Sequence, residues 1–222
     1  TEEQQYYYDL AKEEILNEFV EEWDSIAIFR LFTALQEIVC GFWNRKDVLI
    51  EMDSRRVRTL MAAIQEIPPE EKIIIFTKFQ HDVDVISREI AQEYGEDSIA
   101  TFTGQVPDKK RPEEVDKFRN GTRFFIATQS CGGHGLTLNE AHYVIFFNNA
   151  FKYSERVQAE DMCHRSGQEH KVTYIDIHCL NSIDDRISDA LREKGNVVES
   201  FKAEVNRIKG KKAKIKELLR KL

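Results

Sequence analysis

The sequence lacks the features of a membrane or secreted protein. No apolar run is long enough to cross a bilayer, and the acidic, polar N-terminus does not have the pattern of a secretory signal. We therefore expect a cytoplasmic location. The chain begins at Thr1 rather than at a methionine, which suggests a fragment of a longer protein. Its 222 residues, 41% of them hydrophobic, are enough to form a sizeable core.

Cysteine is scarce, and no two cysteines form a C-x-x-C pair. A zinc site is conceivable but lacks standard ligand spacing. Its ligands would be Cys163, His164, His170 and His178. Reduced, buried thiols in a cytosolic protein are the better interpretation, and we predict no metal site.

Three phosphate-binding patterns are also absent. The chain contains neither G-x-x-x-x-G-K-[ST] nor a D-E-x-x box, the elements that hold nucleotide phosphates and Mg²⁺ in many ATPases. No G-x-G-x-x-G follows the first expected strand, which argues against a small-molecule enzyme built on a dinucleotide-binding sheet. The chain should therefore not hydrolyse ATP by itself.

Charge is distributed unevenly along the chain. The net charge of −7 argues weakly against general nucleic-acid binding. Residues 1–24 are mostly acidic, whereas residues 202–222 are mostly basic. Such a basic end indicates either a surface that faces nucleic acid or an ordinary solvated helix face.

Alternating strand and helix patterns predict an α/β fold with a doubly wound parallel sheet and helical extensions at both ends. The expected strands are short apolar runs at residues 72–76, 99–102, 124–128, 143–147 and 172–177. Helix patterns cover residues 81–94, 112–118 and 154–164. The expected domains are a helical extension over 1–67, the α/β domain over 68–195 and a basic C-terminal helix over 196–222.

Ligands of open parallel sheets bind beyond the carboxyl ends of the strands, so the loops there are candidate sites. The first two loops contain Thr77 and Lys78, then Thr103 and Gly104 with Arg111 downstream. Hydroxyl, ammonium and glycine backbone groups suit the sugar–phosphate backbone of a nucleic acid. The alternatives are an ordinary strand-to-helix turn and, for Arg111, a surface charge.

Two later segments contain groups that could bind an anion. After Thr128, a loop contains Gly132, Gly133 and Gly135, whose successive N–H groups could form an anion-binding concavity. Residues 158–168 place Gln158 and Arg165 on a helix and the turn after it. An arginine can bind a phosphate through two parallel hydrogen bonds. The alternatives are a structural glycine turn and a salt bridge from Arg165 to Asp161 or Glu160.

These loops follow the order and spacing of helicase motifs IV, IVa, V and VI. Together they resemble the second RecA-like lobe of Swi/Snf-type superfamily 2 DNA translocases. The best match is residues 158–168, which are similar to Q-A-x-x-R-x-H-R-x-G-Q. Residues 72–79 resemble the strand and loop of motif IV, and residues 128–138 resemble T-x-x-x-G-G-x-G-L-N-L. Phage and plasmid helicase-like proteins often carry degenerate versions of these motifs, so we expect a bacterial or phage-related source.

The resemblance implies a RecA-like fold, double-stranded DNA as a partner, and ATP with Mg²⁺ held mainly by an N-terminal RecA-like lobe. Arg165 would be the catalytic arginine finger. The nucleotide-facing residues would be Gly133, Gly135, Gln158 and Arg165. The DNA-facing residues would be Thr77, Lys78, Thr103, Gly104 and Thr128.

One departure from the family pattern leaves an alternative open. Met162 stands where the family usually has an arginine, and a thioether cannot donate a hydrogen bond to a phosphate. The alternative is a degenerate helicase lobe that acts as a non-catalytic nucleic-acid or protein binding module.

Overall fold

The computed structural model describes residues 1–18, 23–163, 170–208 and 212–222. The helices are α1 (Glu2–Glu18), α2 (Ser25–Cys40), α3 (Arg56–Gln65), α4 (Gln80–Tyr94), α5 (Arg111–Asn120), α6 (Tyr153–Asp161), α7 (Ile183–Arg192), α8 (Val197–Arg207) and α9 (Lys212–Leu219). The strands are β1 (Phe42–Arg45), β2 (Val48–Glu51), β3 (Ile73–Thr77), β4 (Ile99–Phe102), β5 (Phe124–Thr128), β6 (Tyr143–Phe146) and β7 (Thr173–Asp176). Short 3₁₀ helices cover Glu96–Ser98 and Gln129–His134.

The chain divides into two units. The helical unit contains Thr1–Arg56, Phe151–Tyr153 and Cys179–Leu222. The sheet unit contains Val57–Ala150 and Ser154–His178. In the described residues, no helix combines the length and apolar character needed to cross a membrane.

The helical unit is organised around α2. Asp24 caps this helix by accepting the N–H of Ala27 at 2.8 Å, and Gly41 ends it with a φ of 104°. A side chain at Gly41 would meet the Ser54 hydroxyl at 2.8 Å, so glycine is required there by both conformation and space. The buried face of α2, which includes Phe32, packs into the core of this unit with Phe201 of α8.

A β-hairpin interrupts the helical region predicted over residues 1–67. β1 and β2 pair antiparallel, and Lys46 and Asp47 form the two-residue turn between them with φ values of 48° and 65°. Two-residue hairpin turns usually contain glycine or asparagine at such positions. Lys-Asp carries neither, so the sequence offers no hairpin signal, and the continuous helical interpretation is wrong for this segment.

The sheet unit confirms the predicted α/β class. Its five strands are all parallel, in the order β4-β5-β3-β6-β7. Every residue of β3 and β5 is buried. These strands lie inside the sheet with both faces covered, which explains their unbroken apolar sequences. The described strands begin and end within one residue of the predicted ones.

Candidate functional site

Three of the predicted site residues meet at the carboxyl edge of the sheet. Thr77 ends β3 and pairs in register with Thr128, which ends β5. Thr103 follows β4, whose last residue, Phe102, pairs with Ala127 of β5. Parallel strands place their carboxyl ends on one edge, so residues separated by up to 51 positions in sequence come together.

The hydroxyl groups of these threonines are used within the fold. Thr77 is fully buried and donates to Oδ2 of Asp82 at 2.8 Å. The buried Thr103 hydroxyl accepts the N–H of Gln105 at 3.2 Å. The Thr128 hydroxyl lies 3.3 Å from the Sγ of Cys131. All three side chains therefore stabilise the strand ends and the loops that follow them.

A buried polar network, which the sequence analysis did not identify, joins these loops. The side-chain carbonyl of Asn148 accepts the backbone N–H of Lys78 at 2.7 Å, and its amide donates to Asp82 at 2.6 Å. Gln129 donates to the backbone carbonyl of Asn148 at 3.1 Å and accepts the N–H of Ala150 at 2.6 Å. The network holds together the segments after β3, β5 and β6. The sequence signal for this network was Asn148, a polar residue directly after the apolar run at residues 143–147.

Lys78 and Gly104 lie in the accessible part of the same edge. Lys78 is half-buried, with its Nζ 4.9 Å from the centre of the Phe79 ring. Gly104 is exposed, and a Cβ built on it meets no heavy atom within 4 Å. A phosphate group can therefore approach the backbone at Gly104 closely.

Arg111 braces the loop that contains Gly104. Its Nε donates to the carbonyl of Val106 at 3.1 Å, and its Nη2 donates to the carbonyl of Thr103 at 3.3 Å. It also pairs with Asp108 at 2.9 Å, and its side chain is largely buried. These contacts argue against the interpretation of Arg111 as a simple surface charge.

The glycine loop leads from β5 toward the end of α6. Gly133 lies in the 3₁₀ helix Gln129–His134, and Gly135 follows it in the left-handed conformation with a φ of 68°. Further along, Leu138 donates its N–H to the carbonyl of Met162 at 2.6 Å. This hydrogen bond joins the loop to the turn after α6, so two of the predicted nucleotide-facing segments are neighbours.

The segment with the best family match divides into an exposed and a buried part. Gln158 is exposed on α6, whereas Met162 and Cys163 are fully buried in the sheet core. Burial raises the pKa of the Cys163 thiol to about 12, so this thiol stays protonated at neutral pH. Arg165 and His164 lie outside the described residues. Among the residues that are described, no three histidine, cysteine or acidic side chains are arranged to hold a metal.

The fold is similar to solved structures of SWI2/SNF2 and Fun30 ATPase domains. The chain superposes on the Sulfolobus solfataricus SWI2/SNF2 ATPase core in complex with double-stranded DNA, with a TM-score of 0.69 and 23% identity over 100% of this chain and 47% of that one. The C-terminal domain of the S. solfataricus SWI2/SNF2 ATPase superposes with a TM-score of 0.64 and 21% identity, over 87% of this chain and 82% of that one. The C-terminal part of the Fun30 ATPase domain superposes with a TM-score of 0.59 and 26% identity, over 65% of this chain and 46% of that one.

Two of the similar curated proteins are described as ATP-dependent helicases. The ATP-dependent helicase fft1 of Schizosaccharomyces pombe is 29% identical over 138 residues, which cover 61% of this chain and 14% of that protein. The ATP-dependent helicase MG018 of Mycoplasma genitalium is 27% identical over 204 residues, 90% of this chain and 20% of that protein. The chain thus spans no more than about a fifth of the length of these relatives.

The helicase conserved C-terminal domain family matches residues 55–167, about half of the chain. This range contains every candidate site residue from Thr77 to Arg165. The sheet order, the edge loops and the solved structures agree with this match. The chain therefore belongs to the helicase conserved C-terminal domain family, with the RecA-like fold of SWI2/SNF2 ATPase C-terminal lobes.

Proposed function

We propose that this chain is the C-terminal lobe of an ATP-dependent translocase that moves along double-stranded DNA. The observation that carries the proposal is the carboxyl edge of the sheet, where the loops after β3, β4 and β5 lie side by side. One of the relatives by fold was solved with double-stranded DNA, and the curated relatives are described as ATP-dependent.

The nucleotide side of the proposed site includes Gln158, the glycine loop with Gly133 and Gly135, and Arg165. Exposed Gln158 offers an amide to the nucleotide, and Arg165 would stabilise charge on the transferred phosphoryl group. Arginine fingers contribute on the order of 10³–10⁵ in rate in well-studied NTPases. ATP phosphates and Mg²⁺ would be held mainly by an N-terminal RecA-like lobe, and this chain alone would not hydrolyse ATP.

The DNA side consists of the loops after β3, β4 and β5. Because the hydroxyls of Thr77, Thr103 and Thr128 are buried, we assign these residues to the site through the loops they hold in place. The groups offered to DNA phosphates are the ammonium of Lys78 and the open backbone at Gly104. Contacts of this type do not read base sequence.

Gly104 offers a direct test of DNA binding. A Gly104→Ala substitution adds a methyl group where the protein leaves open space, so stability should change little. The methyl group should hinder a phosphate and weaken DNA binding by this chain severalfold, as measured by fluorescence anisotropy with a short duplex. Gly121→Ala is the matched control, because a Cβ built there also meets nothing within 4 Å. Equal affinities for both variants would remove Gly104 from the proposed DNA surface.

The burial of Met162 favours a second candidate function. Met162 stands where the family pattern has an arginine, and its side chain is packed in the sheet core, so it cannot face a nucleotide. The alternative is a degenerate lobe that binds nucleic acid or protein without catalysis. Inspection of the coding sequence upstream separates the two: an intact G-x-x-x-x-G-K-[ST] loop and acidic box favour the motor.

A further inference from the structure

The helix that carries Gln158 has little apolar surface to hold it. α6 has nine residues, of which Ala159 is the buried one. A helix this short is marginal without tertiary contacts, so its direction must be fixed by other interactions. Met162 and Cys163 anchor the turn after the helix, which leaves its first turn to be held separately.

Arg156 holds that first turn through its guanidinium group. Nη1 and Nη2 donate to the two carboxylate oxygens of Asp176 at 2.5 and 3.1 Å. Nη1 also donates to Oδ1 of Asn149 at 2.9 Å, and Nε donates to Glu160 at 2.6 Å. The guanidinium carbon lies 3.5 Å from the centre of the Phe146 ring. Arg156 is thus held by four hydrogen bonds and a cation–π contact.

Three of the four partners of Arg156 belong to the carboxyl edge of the sheet, and the fourth, Glu160, lies on α6 itself. Phe146 ends β6, Asp176 ends β7, and the two residues are paired in register. Asn149 follows β6, next to Asn148 of the buried network. The side chain of Arg156 is only 12% exposed, whereas that of its partner Asp176 is 43% exposed, so the contact lies at the rim of the sheet edge. Burial lowers its pKa, but the hydrogen bonds and charges of Asp176 and Glu160 raise it more, and the group stays charged.

We propose that Arg156 is a positioning residue for the nucleotide site: it fixes α6 on the ends of β6 and β7 and thereby sets the place of Gln158. Residues two positions apart lie on different sides of a helix, so Arg156 contacts the sheet while Gln158 stays exposed. This inference rests on the proposed function, because it assigns Gln158 to the nucleotide.

A double-mutant cycle in the full-length protein tests the assignment. Arg156→Gln should raise the KM for ATP about tenfold, the equivalent of one lost hydrogen bond to a charged group. In the double variant with Gln158→Ala, KM should be no higher than in Gln158→Ala alone, because Arg156 acts through Gln158. Fully additive effects on KM would overturn the positioning role. Arg192→Gln, which breaks an exposed ion pair with Asp189, is the control and should leave KM unchanged.

Two further measurements separate the failure of this inference from failure of the proposed function. If Gln158→Ala leaves KM unchanged, the nucleotide assignment of Gln158 is wrong and the positioning role falls with it. If amide hydrogen exchange in α6 is the same in wild type and Arg156→Gln, the contacts of Arg156 do not hold the helix, whatever the ATPase result. Should Arg156→Gln fail to fold, Arg156→Lys serves instead. It keeps the positive charge but lacks the paired N–H donors of the guanidinium, so its KM should rise less than tenfold.

Discussion

At the scale of single residues, position in the sheet decides what a polar side chain can do. Thr77 was a natural candidate for a phosphate contact, because the sequence places it at the end of a buried strand. The structure places its hydroxyl inside the protein, where it donates to Asp82. The sequence predicted that Thr77 lies at the carboxyl edge of the sheet. It did not distinguish a side chain that faces solvent from one that holds the loop, since that depends on Asp82 and Asn148, which come from other segments.

Replacing the Thr77 hydroxyl measures its role in the fold. Thr77→Val keeps the shape but leaves Asp82 short of a donor, so the free energy of unfolding should fall by about 1–3 kcal/mol. Thr77→Ser keeps the hydroxyl and should lose less. Urea denaturation of this chain followed by circular dichroism gives both values. A Thr77→Val variant as stable as wild type, but with weaker DNA binding, would instead assign the hydroxyl to DNA.

At the scale of secondary-structure elements, the sequence predicts the sheet well and the hairpin poorly. β3 and β5 are unbroken apolar runs between turn residues, a pattern that few other structures share. β1 and β2 have only four residues each, both end in a charged residue, and they are joined by Lys46-Asp47. Their pairing depends on contacts within the helical unit rather than on local sequence. The positions of Gln158 and Gly104 could be predicted because Gln158 lies within a predicted helix and Gly104 follows a predicted strand.

Tyr8 links three distant parts of the helical unit. Its hydroxyl donates to the carbonyl of Leu222 and accepts the N–H of Ile183, both at 2.8 Å. Tyr8→Phe removes one atom and leaves that N–H without its acceptor, so we expect a loss of about 1–3 kcal/mol of stability in chemical denaturation. Tyr6→Phe is the matched control, because Tyr6 is 65% exposed on the same helix.

The effect of Tyr8→Phe should depend on pH. Burial raises the pKa of Tyr8 far above its ordinary value, so the phenol stays neutral in the folded protein and ionises above about pH 10 in the unfolded chain. Its contribution to stability is complete below that pH and declines as the pH rises further. The difference between wild type and Tyr8→Phe should therefore shrink above pH 10. A difference that is constant from pH 8 to 11 would contradict the buried position of the hydroxyl.

At the scale of the whole molecule, the chain provides one wall of a proposed nucleotide site and one part of a proposed DNA path. The segments after β3, β5 and β6 are joined by the Asn148 network, and α6 is joined to the same edge by Arg156. Cyclic closure of two lobes around ATP would move both sets of loops together, as in other gated domain motions. The sequence alone could suggest this arrangement only by family resemblance, because the contacts connect distant segments.

The most direct test of the account is the ATPase rate of the full-length protein with double-stranded DNA, single-stranded DNA and RNA in parallel. We predict the largest stimulation by double-stranded DNA, and the loss of that stimulation in Arg165→Ala, on the order of 10³-fold or more. Circular dichroism should show the variant to be folded like wild type. Near-normal DNA-stimulated turnover in a folded Arg165→Ala protein would contradict the assignment of this chain as the lobe that supplies the arginine finger.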